Sequence, residues 1–381
     1  MPTVSYFLST ARHRLDASHP LWRQPLPGHR HGHPAKAEAI TYARYFSTVA
    51  GFCAHEGWQR VLYACSRKLG RPVTAAEIEA VSIFLEKHGA FYHPARVAVH
   101  VDGRQLDFVV NVAASSAGRR TLPREVAALK TLAETRPFGW FPAIYAWSFE
   151  ALPMFLGDWL EGFHEFHLTR RSTSRETAVV VWDGGEDPFL ISDDQTAALY
   201  RQAAMILAAC YHPVTTQHIF PWHHAAGDFV VRLTDDKVSV AMITARDYLP
   251  IAGPDVAVDS EAALLDALLL FFLHLTIRMR LDRRDGVAEV VWAPDGVLAP
   301  IVDGFFQGLG LTAALSGLSD GVGDAFRHYF GRHDAATLRG IARQVVQTTY
   351  RMDSEERGII DARLDAHLNA LGRLCAAPAG G

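Results

Sequence analysis

The chain has 381 residues, of which 49% are apolar and 20% charged, and a formal net charge of −4. That apolar share suffices for a sizeable core and excludes a disordered chain, and the length corresponds to two or three domains or one two-lobed domain. The small negative balance excludes the overall basic field that would draw nucleic acid or an anionic membrane.

Four cysteines, Cys53, Cys65, Cys210 and Cys375, are scattered without a CxxC pair. They fit reduced, structural thiols in a cytoplasm better than a disulfide framework. The opening residues MPTVSYFLSTARHRLD lack the long apolar stretch of a signal peptide. The most apolar run, 262–277, contains Asp266 and His274 and falls short of the roughly 20 residues that a span needs. It is predicted to be a buried core helix.

In chain order, a short helix is expected first, followed by a loop at 25–34 (PLPGHRHGHP) marked by its Pro and Gly content. His29, His31 and His33 alternate in that loop. No Cys or carboxylate completes a metal set there, so a solvated His-rich loop is the simpler reading. Residues 35–68 have helical spacing and predict two helices with a break near Gly57. After the Gly-Arg-Pro break at 70–72, Thr74 and Glu77 form a capping box.

Beyond it the apolar period changes to two. Val81, Ile83 and Leu85 alternate, residues 95–101 read as a strand, Asp102-Gly103 as a tight turn and 106–113 as the returning strand. A Ser-, Gly- and Arg-rich loop and a helix at 122–134 follow, then strands at 143–147 and 154–159 and a polar connection at Glu161-Gly162. An amphipathic helix at 192–209 leads into the stretch YHPVTTQHIFPWHHAAGDFVVRLTDDKVSVAMITARD (211–247). There His223, His224 and Asp228 share a short loop before a hairpin of strands 229–233 and 238–243. Helices are predicted near 262–279, 299–309, 324–330, 335–350 and 355–374, with a frayed tail.

Two family signatures fit the loop. As a string, His-His-Ala-Ala-Gly-Asp resembles the HHxxxD motif of chloramphenicol acetyltransferases and condensation-type acyltransferases. That resemblance implies a thioester substrate, His224 as general base and a structural Asp228. In context, the loop and hairpin resemble the catalytic segment of aminoglycoside phosphotransferases, choline kinases and related kinase-like proteins. Arg124-Glu125-Val126-Ala127-Ala128-Leu129 resembles the start of that family's C-helix, and FLGDWLEG at 155–162 its hinge. This second resemblance covers roughly residues 80–250.

The kinase-like resemblance implies an α+β, two-lobed protein-kinase-like fold. Its parts would be an N-terminal helical extension (1–72), a small β-rich lobe with one helix (73–165) and a mostly helical lobe carrying the loop and hairpin (166–381). It also implies ATP and magnesium as cofactors, with a small molecule or protein as substrate, and leaves a protein partner open. Transferred by position, Asp228 stands where the family has its metal-binding Asn, and His223 where it has its catalytic Asp. His223 or His224 would lie near the reacting group. Asp247 is a second metal carboxylate if the strand shifts, because Thr244 occupies the expected place. Asn111 replaces the phosphate-binding Lys, leaving Glu125 and Arg246 as electrostatic support; Arg246 would bind a phosphate or pair with Asp247. Three readings therefore stay open: a divergent phosphotransferase or nucleotide-binding protein, a catalytically inactive pseudokinase that acts by binding, and an HHxxxD acyltransferase. Histidine suits a base near neutral pH.

Overall fold

The structure is a computed structural model that describes residues 2–8, 13–27, 40–89, 91–150, 152–171, 174, 176–182, 188–223, 227–235, 237–251, 253 and 258–376. It is a mixed α+β chain that divides into two compact units. One comprises Met1–Glu134 and Pro142–Glu161, the other Thr135–Phe141 and Gly162–Gly381.

Unit 1 contains strands β1 (Thr3–Leu8) and β2 (His13–Leu15), helix α1 (Tyr42–Leu69), strands β3 (Ile78–Leu85), β4 (His93–Val101) and β5 (Arg104–Val112), helix α2 (Ser116–Thr135), and strands β6 (Ile144–Ser148) and β7 (Met154–Asp158). The strands form one sheet in the order β2-β1-β3-β4-β5-β7-β6. Among the described strands only β1 and β3 run parallel, with Thr3 opposite Ala80 and Leu8 opposite Leu85. The tight turn between β4 and β5 follows from its sequence: Asp102 and Gly103 adopt φ of 56° and 69°, the left-handed pair that matches the twist of a two-residue hairpin.

The expected first helix is instead strand β1. Val4, Tyr6 and Leu8 pack against the core on one face at a period of two, and the run is rich in β-branched and aromatic residues. Helix α1 has the expected interruption: His55 is extended, and Glu56, Gly57 and Trp58 all have positive φ. Thr41 Oγ1 caps its start by accepting from Arg44 N (3.2 Å), and left-handed Gly70 ends it. Its buried face, including Tyr45, Phe46, Val49, Val61 and Cys65, joins Val81, Ile83, Val97, Val99 and Val110 of the sheet in one apolar core. The Thr74–Glu77 box forms as predicted, with the Glu77 carboxylate accepting from Thr74 N (2.7 Å) and Oγ1 (2.8 Å). Helix α2 begins six residues earlier than the sequence reading placed it. Ser115 Oγ accepts from Gly118 N (3.0 Å), and Pro123 is tolerated inside the helix.

Unit 2 contains β8 (Glu165–Arg170), β9 (Thr177–Trp182), β10 (Phe189–Leu190), α3 (Asp193–Ala209), β11 (Gln217–Ile219), β12 (Phe229–Thr234), β13 (Lys237–Met242), β14 (Tyr248–Pro250), α4 (Glu261–Arg278), β15 (Leu281–Arg283), β16 (Val290–Trp292), α5 (Leu298–Ser316), α6 (Val322–Gly331), α7 (Ala335–Thr349) and α8 (Glu355–Ala376). The five helices after β14 carry the core. Phe271 and Phe272 of α4, Phe305 and Phe306 of α5, and Phe326 and Phe330 of α6 form a continuous aromatic cluster. Ser192 caps α3 through reciprocal bonds with Gln195 (2.9 and 3.1 Å). The antiparallel β8–β9 pair and the β11–β14 pair are additions to the sequence reading.

Helix α4 is buried on nearly every side, as predicted, although it carries His274 and Arg278. Among the described residues one helix, Asp295–Ser316, is long and apolar enough to cross a membrane, and 61% of its most apolar stretch is buried inside the fold. Its apolarity is accounted for by its packing along α3. Gly304 and Gly308 let the two backbones approach so closely that a Cβ at Gly308 would stand 2.7 Å from the Ala208 Cβ. His29, His31 and His33 and the chain end after residue 376 lie outside the described residues.

Candidate functional site

The 211–247 stretch is held between two short antiparallel ladders. On one side β11 pairs with β14, Ile219 opposite Tyr248; on the other β12 pairs with β13, Phe229 opposite Met242. Between them the described residues of one connection, 220–223 and 227–228, meet 243–247 of the other, tied by Phe220 N to Asp247 O (3.2 Å) and Ile243 N to Asp228 O (2.8 Å). The first includes a cis Phe220-Pro221 bond and Gly227 at φ 76°.

Asp228 sits at the centre of this crossing. Its side chain is only 1% exposed, and Arg246 grips it with both terminal nitrogens, Nη1 to Oδ2 and Nη2 to Oδ1, each at 2.5 Å. The His223 backbone N–H donates to the same Oδ2 (2.7 Å). A planar guanidinium matches a carboxylate edge, so this pair fixes orientation as well as charge. Arg246 also reaches Pro221 O (3.4 Å), linking the pair to the cis bond.

The candidates divide accordingly. His223, Asp228, Arg246 and Asp247 are brought together, whereas His224 lies outside the described residues. The bidentate partner of Arg246 is Asp228. Asp247 is half-buried, and its Oδ1 accepts from Tyr248 N (3.1 Å). Thr244, in the place of the second metal carboxylate, is buried.

The remaining two candidates belong to unit 1. Asn111 is half-buried on β5, opposite Pro94 and Phe155. Glu125 of α2 has no exposed surface and accepts a hydrogen bond from the Tyr92 hydroxyl.

Behind the loop lies a polar cluster that sequence reasoning missed. Arg278, buried at the end of α4, donates from Nε to Trp222 O and from Nη1 to the Tyr350 hydroxyl (3.4 Å), and faces the Phe220, Trp222 and Tyr350 rings at 5.4–5.9 Å. Beside it, buried His218 and His274 meet edge to face. Burial pushes His218 down to about 4 and His274 well below the usual imidazole range, with the His218 and Arg278 charges adding to the effect on His274. Both rings are neutral near pH 7. The one signal available in the sequence was polar His274 within an otherwise apolar helical run.

A metal fits this donor set poorly. An ionised carboxylate offers about four acceptor positions, and Asp228 has three of them filled, two by a full positive charge. Among the described residues no group of three or more His, Cys, Asp or Glu side chains is arranged to hold a metal ion. Two cavities of unit 2, of about 390 and 630 Å³, are lined by other parts of the chain, and among the described residues neither includes one from 211–247. A comparison with known protein families and with curated proteins finds no match.

Proposed function

We propose that the chain is a two-lobed, kinase-like protein that acts by binding, with its catalytic positions converted to structural use. The observation that carries this reading is the buried Asp228–Arg246 pair. Phosphoryl transfer depends on metal ions that bridge the phosphates and neutralise developing charge. At the position where the resemblance calls for a metal ligand, a guanidinium already neutralises the carboxylate.

Three further features support it. In unit 1 the order of three antiparallel strands, a helix and two more strands agrees with the small lobe of the kinase-like family. Asn111 puts a neutral side chain where that family has a phosphate-binding Lys, and Glu125 is engaged by Tyr92. The loop containing Asp228 runs into a hairpin, as in the kinase-like family. The HHxxxD acyltransferase reading also assigns Asp228 a structural role, but it calls for a helix after the motif.

Calorimetric titration of ATP with and without magnesium, alongside a phosphate-release assay, tests the proposal. The expected result is no magnesium-dependent gain in ATP affinity and no released phosphate. Magnesium-dependent ATP binding, lost in Asp228→Asn while Arg246→Gln retains it, would overturn it.

A further inference from the structure

The 390 Å³ cavity of unit 2 lies between the β8–β9 hairpin, the turn at 284–286, β16 and α8, and three arginines line it: Arg170, Arg284 and Arg363. A cavity of this volume suits a small organic molecule. Among the described residues no carboxylate lines it, in a chain whose net charge is −4. The basic lining is therefore a local arrangement and does not follow from the overall charge.

Several carboxylates close to the lining in sequence are already engaged, Asp361 with Arg357 (3.0 Å) among them. Glu289 pairs with Arg284 (2.9 Å), and Asp285 lies 3.8 Å from the same side chain. Glu355 accepts from Val290 N (2.9 Å) and pairs with Arg283 (3.5 Å). Arg170 and Arg363 are exposed and form no ion pair among the described residues. At longer range Arg363 helps to hold the Asp295 carboxyl below its usual range, an effect due first to the hydrogen bond from Arg280. Two guanidinium groups are thus left uncompensated, which matches a dianion better than a monoanion.

The rest of the lining supplies a neutral surface. Thr177 stands directly across the ladder from Arg170 and adds a hydroxyl beside it. Trp292 lines the cavity and also packs against the Arg280 guanidinium, 4.9 Å from its ring, and against His367 in a T-shaped contact at 5.7 Å. Leu168, at the cavity edge, is anchored through its N–H to Asp282 Oδ2 (2.6 Å).

We infer that this cavity binds a small phosphomonoester, with the dianionic phosphate on Arg170 and Arg363 and an apolar or planar body against Trp292. None of its described lining residues belongs to 211–247, so the inference stands apart from the kinase-like reading, and either can fail without the other.

Calorimetric titration of phenyl phosphate, inorganic phosphate and benzoate into the full chain at low ionic strength tests it. Phenyl phosphate should bind saturably, and more tightly than inorganic phosphate or benzoate. Arg170→Gln and Arg363→Gln should each weaken that binding by about tenfold or more, equivalent to about 1.4 kcal/mol. Arg343→Gln, at an exposed position on α7, should leave it unchanged. Absence of saturable phenyl phosphate binding would overturn the inference, as would binding that persists in the Arg170→Gln/Arg363→Gln double variant. Inorganic phosphate or benzoate binding as tightly as phenyl phosphate would overturn the assignment to a phosphomonoester.

Discussion

The imidazoles of His218 and His274 meet at 89° with their ring centroids 5.7 Å apart, both more than nine-tenths buried. His218 Nδ1 lies 2.9 Å from Leu249 O and so carries the proton in the neutral ring, while Phe220, Phe271 and the Arg278 cation surround the pair. An unfolded histidine takes up a proton near pH 6.5, whereas native His218 does so only at about pH 4. The unfolded state therefore binds more protons as the pH falls, and stability is lost between these two values. His218 alone should account for about 2 kcal/mol of lost stability by about pH 5. Urea midpoints at about pH 7.5 and pH 5 should show this loss, and His274→Phe should make it smaller. A pH-independent midpoint would contradict this assignment.

The Asp228–Arg246 pair makes a separate stability prediction. Truncating one member leaves a buried charge without its counter-ion, so Arg246→Ala should cost about 3–5 kcal/mol. Replacing both by apolar side chains, Asp228→Leu with Arg246→Met, should cost far less than the sum of the single changes. Guanidinium unfolding of the two single variants and the double variant measures the coupling, and additive losses would argue against a mutually dependent pair.

Much of this architecture was legible in the sequence. The Asp102-Gly103 hairpin, the Thr74–Glu77 box, the break at Gly57 and the helices from α4 onward all follow from local rules of period, capping and turn chemistry. What was missed depends on partners distant in the chain. Strand β1 is fixed by a parallel neighbour more than 70 residues away, and β8 carries buried His167 and a charged end that blur its apolar pattern. At the site, Asp228 and Arg246 were both singled out but not as partners. The predicted hairpin held the clue, because pairing Phe229 with Met242 puts Asp228 beside Ile243 and close to Arg246.

Two glycines of one helix should respond in opposite directions. At Gly308 a methyl group would meet Ala208 Cβ at 2.7 Å and Ala209 N at 2.8 Å, so Gly308→Ala should force α3 and α5 apart and cost about 1–3 kcal/mol. At Gly310 nothing lies within 4 Å of the added atom. Gly310→Ala should stabilise by roughly 0.5–1 kcal/mol through helix propensity. Paired thermal melts would reveal the contrast, and equal shifts would argue against the close α3–α5 packing.

Thiol chemistry offers a quick check of the core. Cys53, Cys65, Cys210 and Cys375 are all buried, and desolvation pushes each thiol up to about 12. Because the thiolate is the reactive form, the native protein should resist alkylation at neutral pH. All four cysteines should react once the chain is unfolded in concentrated guanidinium chloride. Rapid labelling of any of them in the native state would contradict its placement.

The parallel pairing of β1 with β3 also bears on how the chain emerges during synthesis. Thr3 cannot meet Ala80 until the intervening residues have been made, a delay of roughly 4–15 s at 5–20 residues per second. For that interval the apolar face formed by Val4, Tyr6 and Leu8 lacks its native cover, and its backbone edge is open to strands of other chains. A native strand partner available that early is β2, through Tyr6 with Leu15 and Leu8 with His13. This short edge strand would then act as a temporary guard for nascent β1, holding it until the sheet can close.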